Sequence, residues 1–212
     1  LESLRAGAMP IYEDGLEPLV GRHVEGGRLV FEADNRRAVE AAEFVFLTLP
    51  TPPGGDGRAD VSAVEAVVDE VTPVLSDGAV LVVKSTVPVG TTAGLRGRAR
   101  AIRSDVEVVA NPEFLREGSA VTDFLEPDRV VVGGASADAV AAVGRLFAGQ
   151  GMPVVETTAE SAEMIKYGSN AYLAARITFV NGLANLCDEV GADIEVVTSA
   201  MGLDPRIGPH FL

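Results

Sequence analysis

Short apolar runs recur along the chain, each separated from the next by a stretch of helical periodicity. The runs are "RLVF" (28–31), "EFVFLTL" (43–49), "AVLVVK" (79–84), "VEVVA" (106–110), "RVVVGG" (129–134) and "MPVVE" (152–156). They are nearly continuously apolar, a pattern that predicts strands buried on both faces, as in a parallel sheet covered by helices. Helical patterns fill the crossovers: "SAVEAVVDEVTPVL", "TTAGLRGRARAIR" and "ADAVAAVGRLFAG". The first opens with Ser62 and Glu65 in capping-box spacing, where each side chain satisfies a free backbone N–H. This is the βαβ rhythm of an α/β chain with a doubly wound parallel sheet.

After residue 156 the rhythm stops. "TTAESAEMIKYGSNAYLAARITFVNGLANLCDEVGA" holds no proline and no strand pattern. Thr157 and Glu160 have the spacing of a second capping box, and Gly191 can end the helix. A helix over 159–190 would run about 48 Å at 1.5 Å per residue. So long a helix is not a crossover; it predicts the spine of a second, helical unit with a short helix near 193–201. The expected division is 1–157 for the sheet domain and 158–212 for the helical one.

Composition narrows the function. The 212 residues carry 31 acids against 17 bases, a formal charge of −14. That argues against nucleic acid, whose phosphates must be neutralised by Lys and Arg, and against anionic membrane surfaces. No apolar run approaches the roughly 20 residues of a membrane span. One cysteine, Cys187, rules out an internal disulfide framework and fits a reducing cytoplasm. The chain opens on Leu1 and closes on "GPHFL", which suggests a fragment of something longer.

In an open parallel sheet, ligands bind outside the carboxyl ends of the strands. Three consecutive ends here run into "PTPPGGDG", "STVPVGTT" and "NPEFLREGSA". Each alone reads as a connecting turn; three in register point to a ligand edge. No G-x-G-x-x-G follows any strand, and "GGDG" (54–57) lies in a loop before a helix. If this is a dinucleotide-binding domain, its first βαβ unit precedes Leu1.

On the long helix, Lys166 and Asn170 stand at i and i+4 and share a face, as do Asn181 and Asn185. Arginine has replaced nearly every lysine; only Lys84 and Lys166 remain. A lysine kept among apolar neighbours suggests that a compact ammonium is required. Lys84 has the same standing, although a strand-end ion pair explains it equally well. Cys187, near a helix end beside two acids, lacks the electropositive setting of a reactive thiolate and reads as core. His23 and His210 have no partners at metal or triad spacing, so no metal is expected.

The segments "PIYEDGLEPL", "TPP", "KSTVPVGTT", "NPEFLREGSAVTDFLEPDR", "AEMIKYGSNAYLA", "NGLANLCDEVGAD" and "GLDPRIGPHFL" follow one another as in the UDP-glucose/GDP-mannose dehydrogenase family, which the whole chain resembles. The resemblance implies a Rossmann-type NAD domain, here without its first βαβ unit, and then the long central helix of an all-α dimerisation domain. It implies NAD-dependent, two-step oxidation of the primary alcohol of a UDP-sugar, UDP-glucose above all, to a carboxylate through a cysteine thiohemiacetal and thioester. The family's cysteine would lie just beyond Leu212. By the same resemblance, Thr51, Ser85, Thr86 and Glu117 would line the cofactor. Glu113, Phe114, Leu115 and Arg116 would hold the substrate, Arg206 would reach the nucleotide of the partner subunit, and Phe211 and Leu212 would begin the strip that wraps the sugar nucleotide. Glu113, Thr86, Lys166 and Asn170 would serve catalysis: Glu113 moving protons through a water, Lys166 and Asn170 donating to the developing oxyanion. A homodimer through 159–190 is implied as well.

Three alternatives stand beside this expectation. The sugar nucleotide could be UDP-N-acetylmannosamine or GDP-mannose. The chain as given could be a catalytically incomplete substrate platform. A two-electron hydroxyacid-type dehydrogenase would share a sheet followed by a long helix, without the paired carboxylates.

Overall fold

The computed structural model describes residues 2–5, 9–149 and 151–210. Its elements are α1 (Glu2–Arg5), α2 (Leu16–Glu25), α3 (Asn35–Val39), β1 (Phe44–Leu47), α4 (Ser62–Val71), β2 (Val80–Val83), α5 (Thr91–Ile102), β3 (Glu107–Ala110), α6 (Ala120–Leu125), β4 (Val130–Gly134), α7 (Ala137–Arg145), β5 (Val154–Thr157), α8 (Ala159–Val190) and α9 (Ile194–Gly202). The chain divides into two compact units, Leu1–Met164 and Ile165–Leu212, and α8 crosses the division.

In the first unit the sheet order is the chain order, β1-β2-β3-β4-β5. β1, β2 and β3 run parallel, as do β4 and β5, but β3 and β4 are antiparallel, with Val109 opposite Gly134 and Ala110 opposite Gly133. The all-parallel expectation therefore fails at one joint. That joint explains how both faces are covered. Right-handed crossovers place α4 and α5 on one face of β1–β3. Continuing outward with the strand direction reversed, the same hand places α7 on the other face.

The packing follows this geometry. Val45, Leu47, Leu81, Val83 and Val108 pack with Val64, Val68 and Val71 of α4 and with Leu95 and Ala99 of α5. Val80, Val82, Val109, Val130 and Val132 pack with Val140 and Val143 of α7 and with Phe147. Successive residues of β2 thus enter opposite cores, which is why its sequence does not alternate.

The run 28–31 is not a strand. A strand needs a neighbour to take its backbone N–H and C=O groups. Here the Leu29 N–H donates to the His23 carbonyl, and the Phe31 carbonyl accepts from the Arg5 guanidinium at 2.9 and 3.2 Å. Val30 is 78% exposed. Two caps also shift. Ser62 does not cap α4; the Asp60 carboxylate accepts its N–H instead. At the start of α8, Thr158 rather than Thr157 accepts from the N–H three residues on, that of Ser161.

In the second unit α8 ends at Gly191, whose φ of 72° is the left-handed turn that glycine adopts without cost. Asp193 caps α9 by accepting from the Glu195 and Val196 N–H groups. The Arg176 guanidinium, over the Tyr172 ring, donates to the Ile207 and Gly208 carbonyls and ties down the tail that follows α9. Cys187 is buried, as expected. Among the described residues, no helix is long and apolar enough to cross a membrane.

Candidate functional site

The carboxyl ends of β1 and β2 are laced together by hydroxyls. Thr51 Oγ1 donates to the Thr86 carbonyl at 2.7 Å, and Ser85 Oγ donates to the Leu49 carbonyl at 2.6 Å. Each hydroxyl proton is thus committed to the backbone, leaving oxygen lone pairs to accept from a ligand hydroxyl. Thr51, Ser85 and Thr86 are half-buried. These acceptors fit the sugar hydroxyls of a nucleotide and bring no positive charge for phosphate.

At the end of β3 the reversal of strand direction has a direct consequence. Because β4 starts from the edge where β3 ends, residues 111–129 need no crossover and stay at that edge. Asn111, buried, anchors the connection: its Nδ2 donates to the Val131 carbonyl, and its carbonyl and Oδ1 accept from Lys84 Nζ at 3.4 and 3.2 Å. Lys84 lies 6.0 Å from the centres of the Phe124 and Phe147 rings, a favourable place for a cation. So Lys84 holds two strand ends together.

Within the connection, Glu113 accepts from the Leu115 N–H at 2.6 Å. Phe114 stacks under the Arg129 guanidinium, 4.0 Å from ring centre. Arg116 is gripped by Asp123: two side-chain hydrogen bonds at 2.6 and 3.0 Å and a third from its own N–H at 2.8 Å. Leu115, Arg116 and Glu117 are exposed, while Glu113 and Phe114 are half-buried. From a segment 105 residues earlier, Glu13 accepts from the Gly118 and Ala120 N–H groups. Sequence reasoning did not single out Glu13 or Asp123: Glu13 serves backbone 105 and 107 residues away, and the Arg116–Asp123 pair spans a loop with no regular spacing to mark it.

A third unforeseen carboxylate is Glu163. Only 3% exposed, it accepts from the Gly90 N–H at 2.6 Å and the Thr92 N–H at 2.8 Å. These are groups at the amino end of α5 that lack intrahelical partners. The positive end of α5 is therefore occupied from within and is closed to a pyrophosphate.

In the second unit, Lys166 is 5% exposed and Asn170 is exposed one turn further on. Asn181 and Asn185 are exposed. Arg206 pairs with Asp204 in a tight turn, its Nη2 2.6 Å from Asp204 Oδ2. Phe211 and Leu212 lie outside the described residues.

The arginine pairs set the acid response. Hydrogen bonding by the Arg116 side chain, then by the Arg116 N–H, holds the Asp123 carboxyl well below the usual range. Arg96 does the same for Glu107, Arg98 for Asp69 and Arg103 for Asp105. A carboxyl depressed by folding stabilises the native state above its unfolded pKa, about 4. That contribution is lost as pH falls through the folded value. Urea midpoints are accordingly expected to stay level down to about pH 5 and to fall below about pH 4. Asp123→Asn should start lower at neutral pH and lose less on acidification; an identical acid slope in the variant would remove Asp123 from this account.

Comparison with known proteins fits these features. Residues 1–150 match the NAD binding domain of the UDP-glucose/GDP-mannose dehydrogenase family, and residues 160–212 match its central domain. The chain belongs to this family. It is 44% identical over 220 residues to UDP-glucose 6-dehydrogenase of Rhizobium meliloti, covering 100% of this chain and 50% of that protein. A UDP-glucose dehydrogenase structure from Pyrobaculum islandicum superposes with a TM-score of 0.90 at 41% identity, over 99% of this chain and 50% of that one. A ternary complex of GDP-mannose dehydrogenase from Pseudomonas aeruginosa superposes at 0.91 with 30% identity, over 96% and 49%. The chain spans about half the length of the curated relatives it matches. The expected family and α/β fold class are thus met, with the sheet mostly rather than wholly parallel.

Proposed function

We propose that the complete protein oxidises UDP-glucose to UDP-glucuronate with NAD, in two hydride transfers. The observation that carries this reading is the match of the entire chain, at 44% identity, to a protein named for that activity. GDP-mannose is the second reading, supported by the 30% identity of its dehydrogenase. Residues 1–157 would serve the cofactor, and 158–212 would open the domain that serves the substrate and the subunit contact.

Thr51, Ser85 and Thr86 present the hydroxyl oxygens that accept from the cofactor's sugar hydroxyls, and Glu117, exposed on the connection after β3, is assigned to the cofactor as well. NAD, when bound, supplies the hydride acceptor. Glu113 takes the alcohol proton through a water and later activates the water for hydrolysis, a carboxylate's role in proton transfer. Phe114, Leu115 and Arg116 hold the sugar nucleotide, with Arg206, Phe211 and Leu212 on its nucleotide end. Lys166 and Asn170 donate to the substrate oxygen as charge develops on it. Cys187 is buried, so the thiol that captures the aldehyde is assigned to a different cysteine.

The reading also includes a cytoplasmic location, in keeping with one cysteine in 212 residues, and a homodimer through α8. Tyr172, Phe179, Leu186 and Val190 of that helix are 62%, 60%, 53% and 69% exposed, an apolar face suited to a second copy.

The deciding experiment expresses the complete reading frame and counts NADH formed per sugar consumed, with UDP-glucose, UDP-N-acetylmannosamine and GDP-mannose offered in turn. Two per UDP-glucose is expected. One per sugar, or none with any of the three, overturns the assignment.

A further inference from the structure

We propose that Glu163 is a positioning residue for the cofactor-side loop 84–91, fixing it to the first turn of α8. The loop is held at three places. At its start, the Lys84 and Ser85 N–H groups donate to the Leu47 carbonyl, and Thr51 and Ser85 add the hydroxyl contacts at the end of β1. In the middle, Val87, 3% exposed, is packed into the core shared with α4 and α5. At its far end both oxygens of Glu163 are used, one on the Gly90 N–H and one on the Thr92 N–H.

A helix needing only a cap obtains it locally, from Ser, Thr, Asp or Asn at the preceding position. Here that position is Gly90, which has no side chain and a φ of 93°, and the carboxylate comes from 71 and 73 residues away. Burying a carboxylate is costly unless it is well hydrogen-bonded, and charge-assisted bonds to backbone N–H groups are among the strong ones. What the distant carboxylate provides, and a local cap would not, is a fixed relation between the loop and the start of α8. Without it, the loop keeps its anchors at Leu47 and Val87 but loses the one at its far end. Glu163 touches no proposed ligand; it acts through the loop.

This inference rests on the assignment of Ser85 and Thr86 to the cofactor, so its test reads NAD binding directly and does not require sugar oxidation. In the complete protein, Glu163→Gln keeps the shape but replaces one acceptor oxygen by a donor NH2. Its dissociation constant for NAD, measured by titration, is expected to rise about tenfold, the size of one lost charge-assisted hydrogen bond. Amide exchange at Gly90 and Thr92 should accelerate by at least a similar factor, with the rest of α5 unchanged. Val143→Ala, a core truncation on α7, should lower thermal stability and leave NAD binding alone. Glu163→Asp, one methylene shorter, should fall between wild type and Glu163→Gln, and serves if the latter does not fold. NAD affinity within twofold of wild type in both variants, or unchanged exchange at the two amides, overturns the proposal. NAD binding without sugar oxidation by the wild type would instead sink the substrate assignment and leave Glu163 decided by these measurements.

Discussion

Lys166→Ala is expected to lower kcat of the complete enzyme by about 10²–10³, the cost of one preorganised donor to a developing oxyanion. Lysine persists at two positions in a chain with 17 basic residues, and Lys166 is only 5% exposed. Lys166 shares a helix face with Asn170, and a compact, rotatable ammonium there suits donation to an oxygen that gains charge, which a planar guanidinium would not do in the same way. Lys166→Arg should therefore fail to restore the rate, because a planar guanidinium is larger and presents its donors in a fixed fork. Asn170, exposed and one turn along, should matter less. Steady-state kinetics with UDP-glucose and NAD provide the check. An alanine variant retaining more than a tenth of kcat would remove Lys166 from the oxyanion.

Gly133→Val is expected to cost about 3 kcal/mol of stability or more, at the top of the range for overpacking a core. A Cβ at Gly133 would stand 2.2 Å from the Thr158 carbonyl oxygen and 2.7 Å from Ala162 Cβ. Thr158 immediately precedes α8 and Ala162 lies in its first turn, and a backbone carbonyl cannot swing away as a long side chain can. Gly133 also sits within the ladder, opposite Ala110 on one side and Thr157 on the other, so neither strand can yield alone. At about 2–4 °C per kcal/mol for a chain of this size, the melting temperature should drop by roughly 6–12 °C. Gly144→Ala is the contrast. Its nearest neighbour would be the Glu156 carboxylate tip at 3.2 Å, which can rotate, and alanine favours the helix. A similar loss in both variants would contradict the close-approach argument.

Of the strands that could be read from sequence, the inner three, β2, β3 and β4, are buried on both faces, whereas β1 and β5 at the sheet's edges are partly exposed and were recognised by their β-branched runs. Runs 43–49, 79–84, 106–110 and 129–134 became β1 to β4, each shortened by a residue or more, run 152–156 became β5 shifted to Val154–Thr157, and the helix expected over 159–190 is α8. Run 28–31 had the same composition but no neighbour to pair with, and composition does not report neighbours. Strand direction at β3–β4 was equally invisible, since an apolar run looks the same in either sense. The candidate ligand edge stood out in the sequence because its turns carry hydroxyls and carboxylates that turns do not need. Its supports were not. Glu13, Asp123 and Glu163 look like ordinary acidic residues until the chain brings backbone N–H groups or a guanidinium to them. For Glu163 one signal existed: it lies on the helical face of Ala159, Ala162 and Lys166, where a charge flanked by small residues already suggests burial.

The agreement between chain order and sheet order has a consequence for how the molecule is made. Each strand pairs with the one synthesised immediately before it, so no strand must wait for a partner encoded much later. Reversal of direction at β4 lets the second helical layer be added without returning to the opposite edge. A chain emerging from the ribosome amino end first can therefore lengthen its sheet strand by strand. Each new pairing closes a loop back to the strand made just before it, from Phe44 with Val80 to Val130 with Val154, and the sheet grows outward from β1 in one direction.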